Sequence, residues 1–520
     1  MDQYLALVVL VAAILLLETG ARRLRLPRAA VLIIGGAGLG MMPGIPAVKI
    51  EPGLVLAIFL PPLLTSGAWF TAWRDFRANL SGIVLLAVGA VAFTTFAVAW
   101  VLHCFVPTLP WAVCVAIGAI VAPPDAVAAE AVLAHVRLPG RVVALLQGES
   151  LLNDAAGLVL LRFAVAAALT GVVDPAKAAG TFAVLALGGI GFGLIMGNLW
   201  RLILRNLSDA GHAIAAMLVA TAISYLGAEH LHLSGVLSTV TMGLVIGYHQ
   251  HRDLSATIRI RAGGFWLALV FLMESLLFIL IGLSLRGVID RAHDTSDVLG
   301  DLLLPSLLIA ATVIVTRFLW VFSSDVAWRL VRSFGFGRGR APSLREATVM
   351  AWAGMRGAVT LLAALSLPET LPGRDLALAS AFMVIVVTVL VQGATLAPLI
   401  RYLKLDSEAE IAAGIAAEGE AWVIMSQAQQ ESLKPVADEH PRLYEQYGRK
   451  LEASILSRDA RDDTRGHEIA HFRTVLMVIA AGREAIVTLH RAGTLPDAIL
   501  REMEYELDLQ QMVAEARLID

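Results

Sequence analysis

Apolar residues fall in long runs along this chain, and glycine, proline and charge separate one run from the next. About thirteen runs approach the roughly 20 residues that a helix needs to cross a bilayer, although some are short. They cover residues 4–20, 29–42, 53–70, 80–106, 111–135, 141–170, 179–205, 211–229, 232–249, 262–286, 301–331, 344–366 and 375–402. The pattern predicts an all-α polytopic membrane protein. Past Leu405 it changes to a mixture of Glu, Arg, Ala and Gln with helical periodicity, as in MEYELDLQQMVAEARL. Two domains follow: a transmembrane domain at 1–404, and a helical cytoplasmic regulatory domain at 405–520 of ordinary domain size.

Two of the spans are interrupted. Span five reads AIGAIVAPPDAVAAEAVLAHV, in which Pro123 and Pro124 each remove a backbone donor and Asp125 follows at the break. Span twelve reads MAWAGMRGAVTLLAALSL, with Gly354 and Gly357 on either side of Arg356. Irregular backbone at membrane depth is tolerated only where it lines a cavity or is buried in protein. The breaks lie seven spans apart. Interrupted helices at matching positions in two halves point to inverted repeats whose broken helices meet at a midplane site. No letter-level repeat accompanies them, so the repeat rests on topology alone.

Composition supports the membrane assignment. Of 520 residues, 58% are hydrophobic and 16% charged, whereas soluble domains are nearer half apolar and a quarter charged. The net charge of −3 gives no reason to expect a nucleic-acid partner. The placement of the basic residues is more informative. Alternate loops hold about twenty, among them Arg22, Arg23, Arg25 and Arg28, then Arg252, Arg259 and Arg261, while the intervening loops hold only Lys49, Lys177, Arg286, Arg291 and Arg374. This alternation makes the basic side cytoplasmic, puts the N-terminus outside and leaves the tail inside. The first run, Tyr4 to Leu17, lacks the positive n-region and cleavage site of a signal peptide and reads as a first span. Cys104 and Cys114 flank one short loop and read as small buried hydrophobes rather than a disulfide.

The chemistry concentrates in Gln147 to Ala168, QGESLLNDAAGLVLLRFAVAAA. At about 3.6 residues per turn, Glu149 stacks under Asn153 and Ser150 under Asp154, so four oxygen-bearing side chains share one face. Intramembrane carboxylates are expensive and mark ion paths or proton relays. Oxygen ligands suit a hard cation such as sodium, and a carboxylate holds either a cation or a proton. That competition is the chemistry of cation/proton exchange.

Four stretches resemble the monovalent cation/proton antiporters of the NhaP and eukaryotic sodium/proton exchanger group. They are GESLLNDA (148–155), with the Asn-Asp pair typical of the electroneutral branch; APPDAVAA (122–129); AWAGMRGAVTLLAALSLP (351–368); and VTVLVQGATLAPLIRYL (387–403). The resemblance covers roughly 1–404 and looks like a bacterial member. It implies thirteen spans, a homodimer in the inner membrane, a core domain moving in an elevator-like way against a dimerisation domain, and exchange of Na+, K+ or Li+ for H+ without a cofactor. One departure is plain: where the family has Thr-Asp-Pro, this chain has Pro124-Asp125-Ala126. A ligand the family takes from that break is here expected from a backbone carbonyl of Ala122, Pro123 or Pro124.

Each candidate has a structural alternative. Asp154 is expected to bind the ion and the proton, against a structural carboxylate paired with an arginine. Asn153 either orients Asp154 or is a packing amide. Ser150 lends its hydroxyl to the ion or bonds back to its helix. Glu149 is a second ligand or the partner of Arg356, whose fixed charge keeps the empty site near neutrality. Asp125 balances a half-helix dipole or ligates the ion. Glu274 matches a recurrent acidic position of the family, and Glu18, Glu130, Arg162 and Arg317 lie in or near spans, where pairing or snorkelling is the alternative. The Gly148–Leu152 stretch lacks the second glycine of a nucleophile elbow. His467-Glu468-Ile469-Ala470-His471 fits the zincin pattern but lacks a recognisable third ligand. The sequence therefore reads as a transporter. A gated cation channel, which also lines its pore with acidic groups, is the rival from another class, and a metalloprotease rests only on the tail motif.

Overall fold

In a computed structural model of the 520-residue chain, every residue is described except 1, 25–27, 43–51, 126–137, 172–174, 292–297, 334–342, 406–407, 460–463, 492–496 and 520. The described residues are helical or irregular, with no strand among them. Two compact units divide at the end of the apolar region, Met1–Asp406 and Ser407–Asp520.

The first unit is a multi-pass helical bundle. Among its described residues, seven helices are long and apolar enough to cross a membrane, and four shorter apolar helices accompany them, Leu10–Ala21, Arg28–Gly40, Leu56–Phe70 and Trp111–Val121. Two expected spans fall outside both sets. One is the helix Gly235–Asp253, whose last turn is polar, and the other is the interrupted pair Leu344–Trp352 and Ala358–Leu365. The elements that carry the argument are α1 (Trp111–Val121), α2 (Gly140–Thr170), α3 (Leu304–Ser333), α4 (Leu344–Trp352), α5 (Ala358–Leu365) and α6 (Arg374–Leu403).

Local chemistry sets several of their ends. A capping box starts α4, where the Ser343 hydroxyl accepts from the Glu346 N–H (3.2 Å) and the Glu346 carboxylate accepts from the Ser343 N–H (2.6 Å). Gly171, at φ +70°, closes α2 in the left-handed region. At 31 residues, α2 is about 46 Å long, more than a bilayer's hydrocarbon core. It runs through two apolar clusters. In one, Leu145, Leu151 and Ala155 of α2 join Leu64, Met350 and Leu396. In the other, Leu161 and Ala164 join Ile120, Val313, Ala363 and Ala381. In a bilayer these contacts give close van der Waals packing rather than a hydrophobic driving force. They clamp α2 on both sides of its polar stretch and so fix the site.

One cysteine departs from expectation. Cys114 is buried, but Cys104 is exposed beside exposed Trp100 and Phe105 on the outer apolar face of its helix, and both thiols are free. An apolar face turned outward suits a membrane-embedded surface as well as a core.

The second unit is made of two helical hairpins, Glu408–Leu433 with Pro441–Asp459 and Thr464–Arg491 with Asp497–Ile519. Within the second, Arg483 donates to Asp508 (2.7 Å) and Gln511 (2.8 Å). The Arg517 guanidinium sits 4.1 Å over the Trp422 ring and ties the hairpins together. The side chains of His467 and Glu468 lie outside the described residues.

Candidate functional site

The two broken spans meet. Helix α1 stops at Val121, the backbone of 122–125 leaves the helix, and the backbone of 353–357 does the same between α4 and α5. The Asp125 N–H donates to the Met355 carbonyl at 2.7 Å, which joins one break to the other. Glu130 and the rest of span five beyond Asp125 lie outside the described residues.

Arg356 buckles the crossing together. It is 1% exposed; its Nε donates to the Val121 carbonyl (3.1 Å), its Nη2 to the Ala122 carbonyl (3.0 Å) and its Nη1 to the Gly354 carbonyl. Carbonyls at a helix C-terminus lack helical partners and carry the negative end of the dipole, so a guanidinium meets both needs at the end of α1. The Arg356 N–H itself donates to Thr388 Oγ1 at 3.1 Å. Asp125 does the converse. Its carboxylate fills the space beside Gly357, the residue before α5, where any Cβ would collide with it. A side chain at 357 would therefore displace the carboxylate, which faces the positive end of the α5 dipole. Each break thus supplies the charge that the other's helix end wants.

Helix α2 passes alongside. Asn153 is fully buried, and its Nδ2 donates to the Pro124 carbonyl. A carbonyl only accepts, so the amide nitrogen must face it. That leaves Asn153 Oδ1 buried without a protein partner. One turn on, the lack of a side chain at Gly157 lets the Pro123 ring rest on the helix. Asp154 is 8% exposed and within electrostatic reach of Asp125. Ser150 is half-buried one turn before it.

One sequence expectation needs correction here, and two more are narrowed. Glu149 does not pair with Arg356. Both its oxygens are taken by Arg317 of α3, Oε2 from Nη2 at 2.8 Å and Oε1 from Nη1, and both residues are buried. This fork-to-fork geometry is the strong form of an ion pair. Arg356 is instead engaged by carbonyls, though it stays within electrostatic reach of Glu149 and Arg317. Second, of the three carbonyls expected at the first break, Ala122 already accepts from Arg356 and Pro124 from Asn153. Pro123 keeps its carbonyl free of any described hydrogen bond. Third, Glu274 belongs to a separate network. Arg28 donates to it at 2.7 Å and lies 3.8 Å from Glu18. Arg162, two turns beyond Asp154, pairs at 2.7 Å with Glu229.

Thr388 is the part of this arrangement that sequence reasoning missed, and Arg317, marked there as a charged residue in a span, had no partner assigned. The only signal for Arg317 was an arginine inside an apolar span. For Thr388 it was a threonine inside the 387–403 motif.

The chain is similar to known proteins over most of its length. Residues 7–402 match the family described as sodium/hydrogen exchanger, transmembrane. An uncharacterised Na(+)/H(+) exchanger of Mycobacterium tuberculosis is 32% identical over 97% of this chain and 95% of its own length. The Na(+)/H(+) antiporter ApNhaP of Aphanothece halophytica is 30% identical over 73% of this chain and 70% of its own. A sodium, potassium, lithium and rubidium/H(+) antiporter of Bacillus subtilis is 32% identical over 66% of this chain and 53% of its own. The solved structure of the sodium proton antiporter MjNhaP1 from Methanocaldococcus jannaschii superposes with a TM-score of 0.63 at 20% identity, over 78% of this chain and all of that one, and shows a shared fold. The chain is a multi-pass membrane protein that belongs to the sodium/hydrogen exchanger family.

Proposed function

We propose that this protein exchanges Na+ for H+ across a prokaryotic inner membrane, one for one, by alternating access at Asp154. The observation that carries the reading is the charge balance at the crossing. Glu149 pairs with Arg317 and lies within electrostatic reach of Arg356, and Asp154 lies within reach of Asp125, so the crossing gathers three carboxylates and two guanidiniums. Fully ionised, the group holds one uncompensated negative charge. Uncompensated charge is costly in a medium of low dielectric, and one monovalent cation or one proton removes it. Glu149 is bound at both oxygens by Arg317, and Asp125 faces a helix dipole, so Asp154 is the group that changes hands.

The cation is held by the Asp154 carboxylate, the Ser150 hydroxyl, the Pro123 carbonyl and Asn153 Oδ1, all oxygen donors suited to a hard ion. Asn153 and Arg356 hold the breaks in place around it. The homodimer, the elevator-like movement of core against dimerisation domain, the outside N-terminus and the cytoplasmic regulatory tail all belong to this reading, on the strength of the family and the charge placement.

A preference for potassium or lithium is the second reading. It is favoured by the breadth of ions in the name of the Bacillus subtilis relative and by the missing Thr-Asp-Pro hydroxyl. The test is cation-driven proton movement in proteoliposomes, run with sodium, potassium and lithium in turn. Sodium should drive it, and Asp154→Asn should abolish it in a folded protein. Cation flux without proton coupling would instead make the protein a channel.

A further inference from the structure

Of the 387–403 motif, only Thr388 has a part in the site described above. Gln392 lies in the same π-turn, Thr388–Gly393, and is fully buried, yet neither its Nε2 nor its Oε1 has a protein partner. Buried polar groups are almost always paired, and an unpaired one requires an explanation. π-turns inside α-helices also occur frequently at functional sites.

The surroundings of Gln392 narrow that explanation. One turn before it, Thr388 Oγ1 accepts from the Arg356 N–H at 3.1 Å. Beside it, Gly393 packs on the Met355 sulfur. Three residues on, Thr395 Oγ1 accepts from the Trp352 indole at 2.9 Å. This face of α6 therefore lies along residues 352–356, and Gln392 is buried within the contact. Across the same segment, the Arg317 Nε lies against Gly354 and is also buried without a partner. The unpaired atoms are thus two donors, Gln392 Nε2 and Arg317 Nε, and one acceptor, Gln392 Oε1. A bare cation needs acceptors and is repelled by N–H donors. Water serves both kinds.

We propose that the Gln392 amide holds ordered water behind the unwound 353–357 segment, which makes Gln392 a positioning residue for Arg356 and the crossing. The hydration stands by itself; its consequence for transport rests on the exchange reading above.

Gln392→Leu separates this role from simple burial, because the two give opposite signs. If the amide were only an unpaired polar group, leucine would leave the melting temperature unchanged or raise it, since removing a buried unsatisfied group is neutral or favourable. If it anchors water, leucine removes the amide's hydrogen bonds to that water beside a segment where Arg317 Nε also lacks a partner, and the melting temperature falls. Because Gln392 is not among the proposed ligands of the ion, the maximal exchange rate should drop on the order of tenfold while the cation Km changes far less, and Gln392→Asn should recover part of the rate. A leucine variant as stable and as fast as the parent overturns the proposal. Should that variant fail to fold, an experimental map of the parent that resolves ordered water decides. Water within hydrogen-bonding distance of the amide supports the proposal, and an amide bonded directly to protein, or dry, ends it. If the parent itself moves no protons against cations, the exchange reading has failed, and the map still tests the hydration.

Discussion

At the scale of single residues, the two buried arginines hold different things, and substitution should tell them apart. Arg317 holds a carboxylate, so Arg317→Met leaves the Glu149 carboxyl group buried without its partner, at a cost of about 3–5 kcal/mol. Replacing both partners, Arg317→Met with Glu149→Gln, should recover part of the melting temperature, because no buried charge then lacks a partner. A double variant no more stable than the single would refute the pairing. Arg356 holds three carbonyls across two breaks. Lysine carries the charge but not the planar fork, so Arg356→Lys should melt well below the parent and transport poorly, and pairing it with Glu149→Gln should bring no recovery. Much of this site was legible in the sequence. Glu149, Ser150, Asn153 and Asp154 stand out because helical spacing puts oxygen atoms on one face of an apolar helix, and Arg356 because it sits between two glycines. Which arginine meets Glu149 was not legible. The choice between positions 317 and 356 depends on how α3 and the second break pack around α2, and neither charge nor spacing along the chain encodes that.

At the scale of elements, the crossing depends on the absence of side chains where two backbones approach. Gly357→Ala puts a methyl group where the Asp125 carboxylate lies. The carboxylate must then leave the start of α5, and exchange should fall at least as far as for Asp125→Asn; an alanine variant with parental exchange in proteoliposomes would show that Asp125 does not need this position. The Arg162–Glu229 pair is of another kind. Its side chains are 52% and 26% exposed, and such pairs contribute about 0–1 kcal/mol. Arg162→Gln should therefore leave the melting temperature almost unchanged. The breaks themselves could be read from the sequence, since proline removes a donor and glycine frees the backbone wherever they occur. That the breaks touch through Asp125 and Met355, and exchange charges with each other's helix ends, could not, because those partners lie more than two hundred residues apart. The cysteines show the same limit. Composition marks both as hydrophobes, but only packing decides that Cys114 faces inward and Cys104 outward.

At the scale of the whole molecule, the boundary between Asp406 and Ser407 separates every residue of the crossing from the tail. A chain ending at Asp406 should insert and exchange ions with an altered pH or activity profile; complete loss of exchange in a correctly inserted truncation would make the tail part of the transport machinery. In the full chain, proton and cation compete for Asp154, so the apparent cation Km should rise about tenfold per pH unit below the site's pKa. A Km flat across the acidic range would count against one shared site. The remaining question is how much charge crosses per cycle. With Glu149 held by Arg317 and an amide at Asn153, the crossing has one carboxylate to discharge, and it returns to neutrality with either a proton or a cation aboard. Both half-cycles then carry the same charge, and membrane potential has nothing to act on. The measurement is the sodium end point in proteoliposomes clamped with valinomycin and potassium. A potential of about 100 mV is worth roughly 2.3 kcal/mol per charge moved, so an electrogenic exchanger would shift its end point by well over tenfold. The one-for-one cycle predicts no shift. If a shift appears, a second group titrates during transport, and Asp125 is the first to test, because it lies within electrostatic reach of Asp154.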